Sequence, residues 1–218
     1  MPSPDIAPSV SLAAPPAAEV HACWSCGGPT PAASPFCATC GAVQPPGSAD
    51  HFRRLGMPAG FEVDRAQLER RYFDLQRRLH PDRFATRTAR EKALSQAQAV
   101  SLNEAFETLA DPLGRAVYLL HLAGIDVLSE GCNQIADPII LMEAMELREA
   151  LVDAQSAGQV ELFIANVAAD VEECIGDLAV AFRKNDTDEA AKLTTRLRYL
   201  RKLIDESRAR RSRLADES

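Results

Sequence analysis

Cys23-Trp24-Ser25-Cys26 and Cys37-Ala38-Thr39-Cys40 form two thiol pairs separated by ten residues, with Gly27 and Gly41 directly after each pair. A two-residue spacer lets one turn of backbone present both thiolates of a pair to the same ion, and the glycine relieves the turn that follows. Four soft sulfur ligands suit a tetrahedral zinc ion, so Cys23, Cys26, Cys37 and Cys40 are the candidate ligands of one structural zinc. With sulfur at every position there is no open place for a water nucleophile, and the ion makes a fold rather than a reaction. A rubredoxin-like iron site has the same ligand geometry, and the spacing does not separate the two. Two disulfides would call for an export signal, and the first stretch carries no basic residue before Arg53. The other two of the six cysteines, Cys132 and Cys174, stand alone and read as ordinary linker or bundle residues.

The second constellation is His80-Pro81-Asp82-Arg83-Phe84, preceded by Arg70, Arg71, Arg77 and Arg78. A His–Asp pair suits acid–base work only beside a nucleophile or leaving group, and none is evident, so no catalytic residue is assigned and the chain reads as a non-enzyme. Taken singly, these residues are ordinary loop and helix-end chemistry. Their order and surroundings give them meaning.

The elements that position them are helical. Asp64 is an N-cap, and Leu68, Tyr72, Leu75 and Leu79 follow at i, i+4, i+7 and i+11, one stripe of an amphipathic helix. Arg70 and Arg77 fall opposite that stripe and Arg71 and Arg78 flank it, so all four guanidiniums face solvent. Pro81 stops the helix at His80. A loop to about Thr88 leads into a second helix whose buried face near its end is Leu102, Ala105, Phe106 and Leu109. Before this hairpin, Asp50 to Leu55 is a short helix closed by Gly56. After it, Asp111-Pro112 opens a helix to about Leu122, Asp137-Pro138 opens one ending before Gly158, and two long helices span about 160–184 and 187–211. The last three form an antiparallel bundle.

In the helix from Pro138, Ile140, Ala144, Leu147 and Leu151 make the core stripe, while Leu141, Met142 and Met145 centre well over 100° away, beside Glu146 and Glu149. A second apolar face bordered by acids is the character of a protein-binding surface, unless a neighbouring helix covers it. In the last helix Leu193, Leu197, Leu200 and Ile204 are the core stripe, and Tyr199, roughly 120° off it, joins the patch if the helices are neighbours.

The His-Pro-Asp loop between two antiparallel helices with a basic first helix resembles a J-domain. That resemblance implies docking on a DnaK-type chaperone and stimulation of its ATPase, through His80, Pro81 and Asp82 with Arg70, Arg71, Arg77 and Arg78 as electrostatic support. From about Asp50 onward the chain further resembles the HscB family of iron–sulfur cluster co-chaperones. The likeness is carried by Pro112-Leu113, Arg115-Ala116, Tyr118-Leu119-Leu120, the run Leu141-Met142-Glu143 with Met145-Glu146-Leu147-Arg148-Glu149, and Leu197-Arg198-Tyr199-Leu200. The family assigns contact with an IscU-type scaffold protein to Leu141, Met142, Met145, Glu146, Glu149 and Tyr199. Two positions depart from the bacterial pattern: Met145 stands for a Leu, a volume-conserving change, and Tyr199 for a Phe, adding a hydroxyl that must stay wet or bonded. A branch of the family carries an N-terminal tetracysteine module opening with Cys-Trp-x-Cys, as here.

The expected fold is mainly α: a Pro/Ala-rich disordered tail over 1–20, a zinc domain over 21–48, a J-domain over 49–124, a linker over 125–137 and a three-helix bundle over 138–218. The 218 residues carry 24 Lys+Arg against 31 Asp+Glu, a net charge of -7, which argues against a nucleic-acid coat or an anionic-membrane binder. No run approaches the roughly 18 apolar residues of a membrane span. A zinc-ribbon nucleic-acid binder is disfavoured by the absence of Lys or Arg before Arg53, and a J-protein for unfolded clients by the missing Gly/Phe-rich stretch. The expected location is a bacterial cytoplasm; a mitochondrial matrix is disfavoured by the missing basic presequence.

Overall fold

The computed structural model describes residues 20–127 and 137–216. Most of the expected linker, Cys132 and the expected tail except Val20 fall outside them; Val20 is not part of a disordered tail but the first residue of a strand. The chain divides into two compact units, between Arg115 and Ala116.

The first unit opens with a hairpin, β1 (Val20–Ala22) paired antiparallel with β2 (Pro29–Pro31), His21 facing Thr30. Sequence patterning gives no sign of these strands, because each is three residues long and β2 carries two prolines. Then come α1 (His51–Leu55), α2 (Arg65–Leu79), a 3-10 turn over Pro81–Phe84, and α3 (Ala89–Ala110). Asp50 caps α1 by accepting from the Arg53 amide, and Gly56 ends it at φ 64°, the left-handed region that glycine tolerates. Asp64 caps α2 through the Gln67 amide, and Thr88 and Glu91 form a reciprocal capping box at the start of α3.

Leu68 and Leu79 of α2 are buried against the hairpin core with Leu102, Ala105 and Leu109 of α3. Phe106, expected in the core, is half-buried; its ring stacks on Tyr72 at 4.2 Å, and the Tyr72 hydroxyl is 3.0 Å from Asn103 Oδ1. Arg115, at the end of this unit, lays its guanidinium 5.0 Å from the Phe61 ring and donates to the Leu109 carbonyl.

α4 (Pro112–Leu122) runs across the division and buries Ala116, Leu119 and Leu120. The second unit continues with α5 (Pro138–Asp153), α6 (Ala157–Arg183) and α7 (Thr187–Asp216). Asn185 at φ 55° turns α6 into α7, and Arg211 near the end of α7 pairs with Glu161 near the start of α6, so the two long helices run antiparallel. The expected break at Gly158 is displaced: Ser156 and Gln159 make a capping box, so α6 begins at Ala157 and Gly158 sits in its first turn. α7 also runs to Asp216, five residues past expectation. Its stripe of Leu193, Leu197, Leu200 and Ile204 is buried throughout, as are Ile140, Ala144 and Leu151 of α5, with Leu147 at the margin.

Candidate functional site

The four candidate ligands converge. Their sulfurs all lie within 4.8 Å of one another, with Cys23 Sγ 3.7 Å from Cys40 Sγ and Cys26 Sγ 3.8 Å from Cys37 Sγ. A tetrahedral ion with metal–sulfur bonds of about 2.3 Å separates its ligands by about 3.8 Å, so the cage fits one such ion. Each half of the cage is the same knuckle: the Gly27 amide donates to Cys23 O and the Gly41 amide to Cys37 O, both at 2.9 Å. Gly27 at φ 72° and Gly41 at φ 74° close these turns, which explains why glycine follows each pair. Trp24 Nε1 donates to Val43 O at 2.7 Å and links one knuckle to the segment after the other.

The chemistry of the donor set agrees. The Cys40 amide, with Thr30, holds Cys37 well below an ordinary thiol, at about 5. The Gly28 amide draws Cys26 down, but the Cys40 thiol and the other sulfurs outweigh it and push it up to about 12. Four thiolates this close repel one another unless a cation sits among them. Thr30 Oγ1 is buried with no other hydrogen-bond partner and is placed to donate to a Cys37 thiolate. By contrast Cys174 is fully buried, donates to Leu193 O at 3.4 Å and is pushed up to about 11 by burial, the properties of an inert core thiol.

The cysteine module is tied to the helical hairpin. Gln98 Nε2 on α3 donates to Gln44 O at 2.9 Å, and Gln44 Nε2 reaches Cys23 Sγ at 3.3 Å. This is a buried polar path from the hairpin to a ligand sulfur. Arg54 on α1 donates to Pro46 O at 2.9 Å and Ala49 O at 3.2 Å. The boundary expected between 21–48 and 49–124 does not divide the fold: residues 21–48 and 49–115 lie in one compact unit, and 116–124 fall in the other.

The His-Pro-Asp loop is held at both ends. Ser95 Oγ, buried on α3, donates to Leu79 O at 2.6 Å and satisfies a last carbonyl of α2. Phe84 is buried and anchors the far end of the turn. Between these anchors His80 Nδ1 accepts from the Asp82 amide at 3.3 Å, and His80, Pro81 and Asp82 are all exposed. Arg70, Arg71, Arg77 and Arg78 are exposed, as the helical wheel predicts; Arg77 pairs with Asp74, and the Arg78 guanidinium stacks 4.7 Å from the Phe36 ring. Ser95 and Gln98 escaped the sequence reading although they left a signal. They are polar residues on the buried side of α3, one turn apart.

Among the described residues of the second unit, no neighbouring helix covers the second face of α5. Leu141, Met142 and Met145 are 45%, 59% and 58% exposed, Glu146 and Glu149 are exposed beside them, and Ile139 at 76% and Val152 at 63% lengthen the apolar surface. Tyr199 is half-buried against α5, its hydroxyl donating to Ala144 O at 2.6 Å. The hydroxyl that the sequence required to be wet or bonded is therefore bonded. Glu143 forms a bidentate pair with Arg196, at 2.6 Å to Nη2 and 2.9 Å to Nε, both groups mostly shielded. Arg210 closes the other end of α5 by donating to Val152 O and Ala154 O. These contacts fix the patch-bearing helix on α7.

Two measurements check this support. Tyr199→Phe should cost about 1 kcal/mol in chemical denaturation, since one neutral hydrogen bond is lost and Ala144 O keeps its helical partner. Arg196→Ala should cost about 2 kcal/mol, because it strands a shielded carboxylate.

A family model described as the HSCB C-terminal oligomerisation domain matches residues 136–208. The iron–sulfur cluster co-chaperone protein HscB of Mus musculus is 39% identical over 181 residues, covering 81% of this chain and 77% of that protein. The co-chaperone protein HscB of Proteus mirabilis is 36% identical over 171 residues, covering 77% of this chain and 98% of its own. The crystal structure of the human co-chaperone protein HscB superposes with a TM-score of 0.79 at 34% identity, over 86% of this chain and 97% of that one. With the tetracysteine cage, the loop-bearing hairpin and the three C-terminal helices all in place, the chain belongs to the HscB family of iron–sulfur cluster co-chaperones.

Proposed function

We propose that this chain is a non-enzymatic adaptor that stimulates the ATPase of a DnaK/HscA-type chaperone and delivers to it an IscU-type iron–sulfur scaffold protein, for cluster assembly and transfer. The observation that carries the reading is the presence of two exposed and rigidly supported surfaces of different chemistry, one in each unit. His80, Pro81 and Asp82, with Arg70, Arg71, Arg77 and Arg78, meet the chaperone. Exposed charge pairs of this kind contribute about 0.5 kcal/mol each and act chiefly on association rate and salt dependence, so the loop carries the larger share. Leu141, Met142, Met145, Glu146 and Glu149 meet the scaffold, with apolar anchors inside an acidic rim. Tyr199 belongs to this surface as the residue that positions α5.

The tetracysteine module holds one structural zinc in this reading, since four sulfurs leave no position for chemistry. A segment of this size depends on such an ion for its fold. Cys37→Ser should release close to one equivalent of zinc, read by a colorimetric chelator; unchanged metal content would remove the assignment. The division into a zinc domain over 21–48, a J-domain over 49–124 and a bundle over 138–218 describes the roles, and reduced thiols at the metal site suit a cytoplasmic location.

The direct test is ATP hydrolysis by the chaperone with the purified chain added. A saturable rise above the basal rate is expected, and a flat response would overturn the reading.

A further inference from the structure

Two buried glutamines join the cysteine cage to the helix that supports the His-Pro-Asp loop. Gln44 Nε2 donates to Ala42 O at 2.8 Å and to Cys23 Sγ at 3.3 Å. A carbonyl only accepts, so Ala42 fixes which way the amide faces and turns its second N–H onto the sulfur. The Ser25 amide reaches the same sulfur at 3.3 Å. Two donors on one buried sulfur suit a thiolate that binds an ion, and hydrogen bonds of this kind orient a ligand and tune its affinity.

The Gln44 carbonyl in turn accepts from Gln98 Nε2 of α3 at 2.9 Å. Gln98 is one turn from Ser95, whose hydroxyl holds Leu79 O, the carbonyl directly before His80. α3 therefore grips the cage with one buried polar side chain and the end of α2 with its neighbour. Both attachments are repeated by stacking: Arg90 of α3 lies 4.3 Å from the Trp24 ring, and Arg78, two residues before His80, lies 4.7 Å from the Phe36 ring. Buried hydrogen bonds are costly to leave unmade, so a displacement at the cage is felt at the loop.

Resting on the one-ion reading of the cage given above, we infer that Gln44 and Gln98 are positioning residues that couple metal occupancy to the geometry of the His-Pro-Asp loop. With the ion bound, Cys23 holds Gln44, Gln44 holds Gln98, and α3 keeps Ser95 under the end of α2. Without it the crowded thiolates repel one another and the Gln44 anchor loosens. Such coupling is reciprocal, so breaking the bond between Gln98 and Gln44 weakens metal binding although Gln98 touches no ligand. The cysteine module thereby acts in presenting the loop, apart from any contact of its own with a partner.

The experiment uses the full chain, zinc-loaded and stripped, as wild type, Gln44→Met, Gln98→Met and Ala105→Gly. Competition with a chromophoric chelator reads zinc affinity. Amide hydrogen exchange reads the loop through Arg83, Ala85 and Arg87, whose N–H groups donate to His80 O, Asp82 O and Phe84 O. Methionine keeps an unbranched side chain in place of glutamine and removes the donor. Gln44→Met should weaken zinc binding about tenfold, and Gln98→Met about fivefold. Ala105→Gly loosens the same helix two turns from Gln98, off the route to the cage, and should bind zinc as wild type does. Stripping zinc from wild type should speed exchange at the three loop amides about tenfold, while amides in the last turns of α3 keep their protection. If Gln98→Met does not fold, the stripped wild type decides. A chain that takes up no zinc would overturn the one-ion reading, and the coupling with it. Uptake of one equivalent beside unchanged loop exchange on stripping, wild-type affinity in Gln98→Met, or an equal loss in Ala105→Gly would overturn the coupling and leave the ion standing. Loss of protection along all of α3 on stripping would overturn it as well, since the ion would then hold the whole unit rather than the loop.

Discussion

A His80→Gln variant should leave the chaperone's ATP hydrolysis near its basal rate while folding like the wild type. The side chain is exposed and its Nδ1 meets only Asp82 among the described residues, accepting from the amide at 3.3 Å and lying 3.5 Å from the carboxylate, so stability should change by less than about 0.5 kcal/mol. The loop is different in character from the arginines around it. Ser95 pins the end of α2, Pro81 sets the turn and Phe84 is buried beyond it, so His80 and Asp82 are presented in one geometry. Preorganised residues at the centre of an interface commonly cost about 2 kcal/mol or more on truncation, a factor of about 30 in half-saturation. Single arginine variants on α2 should cost far less and should be distinguishable by their salt dependence.

The second large effect is expected at α5. Leu141→Ala with Met142→Ala removes two exposed apolar side chains that a bound scaffold protein would cover. Full burial of such side chains stabilises a complex by about 1.5–3 kcal/mol each, and their present exposure means that about half of that remains to be gained on binding. The pair should therefore weaken scaffold affinity by about 2 kcal/mol, on the order of 30-fold. Stability should hardly move, because both residues lie off the buried stripe of Ile140, Ala144 and Leu151. Isothermal titration with the purified scaffold protein reads the affinity, and circular dichroism melting reads the fold. Equal affinity would show that the patch does not meet the scaffold; a large drop in melting temperature would show that the two residues support the bundle instead.

What was legible in the sequence was what is local in it. The knuckle glycines, the N-caps at Asp64 and Asp137, and the two periodicities of α5 each depend on residues within a few positions of one another, and each has its counterpart in the structure. The convergence of the two cysteine pairs followed because a four-sulfur cage is the one arrangement that lets short knuckles share an ion. The supports of the sites were not legible. Gln98 finds Gln44 across 54 positions, Arg196 finds Glu143 across 53 and Tyr199 finds Ala144 across 55, and nothing in periodicity says which polar residue meets which. The union of the cysteine module with the hairpin was hidden for the same reason. The prolines and Gly47 that mark a boundary in sequence sit beside Arg54 contacts that bridge it. The start of α6 was misplaced because glycine was read as a stop, whereas the Ser156–Gln159 box is a stronger local signal for a helix start.

The central claim is that one chain serves two partners through separate surfaces. It is tested most directly by measuring the chaperone's ATPase against concentration of this chain, with and without saturating scaffold protein, for wild type and for the Leu141→Ala/Met142→Ala variant. The account predicts that the variant matches wild type without scaffold, and that the further rise which scaffold produces with wild type is absent with the variant. A variant that loses stimulation without scaffold, or that keeps the full scaffold-dependent rise, would contradict it.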